Sequence, residues 1–105
     1  MNIRLAPLVA ACGLVGVLPL SLGPAIAYSG QQMAHEAKIS IEQARQIALN
    51  AHPGKIADEE LEREGGGSGL RYSFDIKSGR ITQEVGVDAM TGRVLENKAE
   101  GKNPD

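Results

Sequence analysis

The stretch Leu70–Ala89 (LRYSFDIKSGRITQEVGVDA) leaves the chain few options. Leu70, Tyr72, Phe74 and Ile76 alternate with Arg71, Ser73, Asp75 and Lys77. Side chains of an extended backbone point to opposite faces in turn, so this period of two predicts a strand with one buried face. Ser78-Gly79 supplies a turn. Ile81, Gln83, Val85, Val87 and Ala89 then form the inward set of a second strand, with Thr82, Glu84, Gly86 and Asp88 outward. Two strands around a short Gly-containing turn make an antiparallel hairpin. Gly86, in mid-strand, marks a bulge or the close approach of another element.

A lone hairpin is marginal in water, so its flanks must cover it. One clear helix is predicted over Ile39–Ala51. Ser40 and Gln43 have the spacing of a capping box, and Glu42 suits the positive end of the helix dipole. Ile41, Ala44, Ile47, Ala48 and Ala51 form one apolar stripe, and Pro53-Gly54 stops the helix. The Ala-rich stripe allows close approach to a sheet face. Lys55–Glu64 (KIADEELERE) reads as a charged edge strand centred on Glu59–Glu64, followed by a flexible loop, Gly65–Gly69. Asp88–Gly92 (DAMTG) forms a tight turn, with Asp88 bonding backbone donors ahead of it and Gly92 free to take a positive φ. Arg93–Glu96 makes a short last strand. The fold class is therefore α+β: one N-terminal helix on a small antiparallel sheet of three to four strands, in the order α-β-β-β-β.

The N-terminus reads differently. Arg4 precedes a long apolar run, Leu5–Leu22, and Ala25-Ile26-Ala27 has the small-residue spacing of a signal-peptidase site. Residues 1–27 are read as a Sec-type signal peptide, cut between Ala27 and Tyr28, which places the protein in the periplasm or outside the cell. Pro7, Pro19, Pro24 and three glycines weaken a continuous membrane helix there, so no stable span is expected after cleavage. Cys12 follows small residues as in a lipoprotein site, but the apolar run continues well past it, which argues against lipidation. Residues 28–38 read as a flexible arm, 39–97 as the folded domain and 98–105 as a disordered tail.

Cys12 is the sole cysteine, so a cleaved chain can carry neither a disulfide nor a cysteine-based catalyst. Eleven basic and thirteen acidic residues give a net charge of −2, and −3 once Arg4 is gone. That balance offers no footprint for nucleic acid. A core of roughly 60 residues is small, which is compatible with a homodimer or with binding another protein.

The ordered set Ile39-Ser40, Ala44, Ala48, Pro53-Gly54, Leu61, Tyr72, Phe74, Ile76, Gly79 and Val85-x-Val87-Asp88-Ala89-x-Thr91-Gly92-x-Val94-Leu95 resembles the PepSY domain. The resemblance spans about Ile39–Asn97, and its most specific piece is Val87–Val94. It implies the helix-on-sheet fold and likeness to part of the propeptide of thermolysin-like secreted peptidases. It implies control of a peptidase by binding, here in trans because no protease domain is attached. It brings no catalytic residues and no cofactor.

The residues themselves carry little chemistry. His35, Glu36, His52, Asp58 and Glu59 match no zinc or calcium spacing. Glu59, Glu60, Glu62 and Glu64 read as a solvated face, not as an acid/base pair in a pocket. The chain is read as a non-enzyme without metal. Its partner is expected to be a peptidase or another envelope protein, met through the sheet face, with Arg71, Asp75, Arg80 and Glu84 on the outward side of the hairpin as the candidate contacts, or through a sheet edge that an extended peptide joins as an added strand. The alternative is a structural or sensory envelope module that binds a non-peptidase protein or itself.

Overall fold

A computed structural model describes residues 27–100. The leader through residue 26, the lipidation candidate Cys12 and residues 101–105 lie outside the described residues. The fold has helix α1 (Ile41–Ala51) followed by strands β1 (Lys55–Arg63), β2 (Leu70–Ser78), β3 (Ile81–Asp88) and β4 (Val94–Ala99). The strands form one antiparallel sheet in chain order.

The helix starts where the capping box requires. Ser40 Oγ accepts from the Gln43 amide at 3.1 Å, and Gln43 Oε1 accepts from the Ser40 amide at 2.9 Å. Two of the free donors of the first turn are thereby satisfied. The backbone amides of Lys38 and Ile39 both donate to the Ala89 carbonyl, which ties the start of the helix to the β3–β4 turn. Ala44 and Ala48 are fully buried against the sheet, as small residues at a close helix–sheet contact must be. Beneath them lie Leu61, Tyr72, Phe74, Ile76, Val85, Val87 and Ala89. The register seats Phe74 between Glu59 and Val85, and Tyr72 between Leu61 and Val87.

Three expectations are corrected. Residues 28–38 are not a loose arm. The Leu61 amide donates to the Ser29 carbonyl at 2.8 Å, Ser29 makes a parallel bridge to Glu60, and Gln31–Glu36 forms a 3-10 helix beside β1. The tyrosine explains part of this order: the Tyr28 ring lies 6.4 Å from that of Tyr72, so the arm covers aromatic surface. The last strand runs on to Ala99, and the Glu100 amide donates to the Thr82 carbonyl, so the tail begins later than residue 98. A bulge at Gly86/Val87 shifts the β3–β4 register by one residue. Finally, the Gly65–Gly69 loop is pinned, because Ser68 bonds Asp88 through both its amide (2.7 Å) and its hydroxyl (2.8 Å).

Asp88 has outward parity, yet it is buried because that loop folds over it. Its carboxylate also accepts from the amides of Met90 and Thr91, closing the β3–β4 turn. Gly67 sits against Asp88 and Leu95 at φ +55, where a side chain would be both strained and obstructed.

Candidate functional site

Helix α1 covers one face of the sheet and leaves the other open. Parity along each strand decides what the open face carries. In β1 the residues Asp58, Glu60 and Glu62 pair with Asp75, Ser73 and Arg71 of β2. In β2 and β3, Asp75 faces Glu84, and Glu84 in turn faces Lys98 of β4. Asp58, Glu60, Glu62, Glu64, Asp75, Glu84 and Glu100 surround a shallow concavity of about 240 Å³. Seven carboxylates thus share one surface.

The carboxylates here are crowded. The hydrogen bond with Glu60 and partial burial raise the Glu62 carboxyl above the ordinary range, although Ser73 Oγ donates to it at 2.7 Å. Burial raises Asp75, assisted by the charges of Glu100 and Asp58. Burial likewise raises Glu84, with Glu96, Asp75 and Glu100 adding repulsion. Like charges in a half-buried patch disfavour the ionised form, so all three move the same way. Among the described residues no group of three or more His, Cys, Asp or Glu side chains is disposed to hold a metal ion. The acids are spread across four strands and do not converge on one point.

Arg71 is the exception on this face. It is buried, with 6% of its surface exposed. Its guanidinium lies flat across β3 and reaches Glu96 on β4 at 3.1 Å and the Gly65 carbonyl at 3.1 Å. Gly86 makes that path open: a Cβ there would stand 2.9 Å from Arg71 Nη1. The approach expected at Gly86 is thus made by a side chain from the neighbouring strand.

The four sequence candidates therefore separate. Asp75 and Glu84 are cross-strand partners on the open face. Arg71 shares the face but is buried as a strut, so it offers no exposed contact. Arg80 sits in the hairpin turn, exposed and away from the acidic concavity. Ala27 is exposed, and Tyr28 is half-buried against Tyr72. Sequence reasoning missed the contributions of Asp58 and Glu100. For β1 a signal existed: Glu60, Glu62 and Glu64 alternate with Leu61 and Arg63, which puts the three acids on one face.

A second concavity, of about 560 Å³, opens where the arm meets the start of α1, lined by Tyr28, Gln31, Lys38, Glu42, Arg45 and Tyr72 among others. Tyr72 donates its hydroxyl to the Ile39 carbonyl at 2.9 Å. Burial, with the neighbouring Tyr28 and the Glu42 charge, pushes that hydroxyl's pKa up to about 12. A tyrosine so placed is a structural donor and no base at neutral pH.

No match of significant similarity was found among curated proteins or among solved structures. A family model described as peptidase propeptide and YPEB domain, PepSY, matches residues 38–98. That span is more than half of the chain and runs from just before α1 to the penultimate residue of β4. With the resemblance of the motif residues and the helix-on-sheet fold in agreement, the chain belongs to the PepSY family.

Proposed function

We propose that this protein is an exported, non-catalytic binding module that controls a peptidase in the cell envelope or outside the cell. The observation that carries the reading is the peptidase-propeptide family match over residues 38–98, nearly all of the helix-and-sheet unit. Domains of this family act in general as protein-interaction modules and are typically extracellular or periplasmic. No helix among the described residues is long and apolar enough to cross a membrane.

The geometry supports binding through the open face. One face is committed to the core by α1, whereas the other is half-buried, concave and acidic. Such a surface raises encounter rates with a cationic partner and discriminates against acidic ones. Asp75 and Glu84 lie at its centre.

Titrating the protein against secreted and envelope peptidases, with peptidase activity and direct binding both recorded, tests the proposal. Saturable binding to at least one peptidase, weakened by added salt, is the expected result. Absence of binding to every peptidase, with capture of a non-peptidase envelope protein or self-association in light scattering, would replace it with the structural or sensory alternative.

A further inference from the structure

The outer edge of β1 is occupied by the chain's own arm, and the manner of that contact says what else fits there. The arm lies outside the PepSY match, which begins at residue 38. It is seated as a partial fifth strand: Ser29 makes a parallel bridge to Glu60, and its carbonyl accepts from the Leu61 amide at 2.8 Å. An edge strand offers a row of unpaired backbone groups to any extended segment, so the arm is a stand-in for such a segment.

The arm is held by half-buried contacts: Tyr28, Met33, Ala34 and Ala37 pack at the margin of the core, and none of them is fully buried. Its 3-10 helix contains no buried residue. The ion pair of Glu36 with Arg63, at 2.6 Å, is largely exposed, and exposed pairs add little. Gly30, at φ +84, lies against the Leu61 carbonyl, where any Cβ would collide. A segment whose contacts are all half-buried opens at lower cost than the core it packs on.

The side chains beside this edge specify the visitor. A strand added to β1 places alternate residues next to Asp58, Glu60 and Glu62 on the open face. Opposite charges directly across a strand pair stabilise and like charges destabilise it. The same row disfavours a second copy of β1.

We infer that the segment Tyr28–Ala37 is a displaceable strap, and that the β1 edge beneath it accepts an extended protein segment with basic residues at alternate positions. The inference rests on the proposed binding role and names the chemistry of the partner. The strap makes the edge incompletely available, which lowers apparent affinity by the fraction of molecules in which it is open.

The test uses the full chain, its Gly30→Ala variant and a fluorescent octapeptide of alternating Lys and Thr, with a Glu-Thr peptide as control. Gly30→Ala frees the strap, and binding of the Lys-Thr peptide is expected to tighten by about tenfold or more, the fraction-open factor being removed. Exchange of the Leu61 amide in the free variant should accelerate, then slow again when the peptide binds. Arg63→Gln, which removes only the exposed ion pair, should give a smaller gain and decides the matter if Gly30→Ala does not fold. Equal affinity in wild type and variants, or equal binding of the Glu-Thr peptide, overturns the inference. Peptidase binding that is unchanged by freeing the strap overturns the strap and leaves the proposed function standing. A gain for the Lys-Thr peptide with no peptidase bound by any form does the reverse.

Discussion

Glu59 and Glu60 are neighbours in β1 and lie on opposite faces of the sheet. Glu59, on the helix side, takes a fork of two 2.9 Å hydrogen bonds from Arg45 of α1. The same contact raises the Arg45 pKa. Glu60, on the open side, meets Glu62 and the acidic concavity. The core side thus pairs its charge through a planar, bidentate geometry that also fixes the helix on the sheet. The open side leaves carboxylates facing carboxylates. A fold needs the first arrangement. The second costs stability.

The largest test of this contrast is on the helix side. Phe74 is completely buried. Phe74→Ala should destabilise the protein by about 3–5 kcal/mol in chemical denaturation. A loss under about 1 kcal/mol would mean that the two faces are assigned the wrong way round.

Asp88 comes next, because it is a buried acid with its own donors. Burial works to raise its carboxyl, but the hydrogen bonds from Met90, Ser68 and Thr91 outweigh it and hold the group below its ordinary value. Asp88→Asn should cost about 2–3 kcal/mol, the scale of hydrogen bonds to a charged group. A depressed carboxyl stabilises the fold above its unfolded pKa and loses that contribution as pH falls through the folded value. The cost of Asp88→Asn should therefore shrink at strongly acidic pH, and a denaturation series against pH checks it.

The open-face acids should show the opposite slope and the smallest effect. Asp75 and Glu84 are raised in the folded state, so their protonated forms favour folding. That contribution is complete below the unfolded carboxylate pKa and is lost as pH rises through the raised folded value. Asp75→Asn and Glu84→Gln should each stabilise by under about 1 kcal/mol at neutral pH, and the gain should vanish under mildly acidic conditions. A loss of stability at neutral pH would show that the face is structural and not strained by its charge.

Much of the helix side was legible in the sequence. The alternation Leu70–Ile76 and the Ser40/Gln43 box are local patterns, and local patterns survive folding. The candidate site was harder to see. Arg71 has outward parity, yet Gly86 on the next strand gives it a bed to lie in, and this depends on register rather than on any run of residues. Asp88 was recognised as a turn residue, but its second task, holding Ser68 twenty positions earlier, is tertiary. Glu100 lies on the acidic face because the bulge at Gly86/Val87 shifts the β4 register by one residue and puts Glu96, Lys98 and Glu100 on the side of Glu84, which no local pattern announces. The order of the arm is not local either: YSGQQMAHEAK has no periodicity of its own, and it is placed by an edge that lies about thirty residues downstream.

The sequential strand order has a consequence for how the molecule reaches this state. Each strand pairs with the one made just before it, across turns of a few residues, and the helix precedes them all. Contacts in such a meander close short loops, which keeps contact order low for a sheet protein and favours fast folding. Among the four strands, none waits for a distant segment of chain before it can pair. A protein of this design is suited to assembling itself promptly from an extended chain, without a long-lived intermediate that exposes unpaired strands.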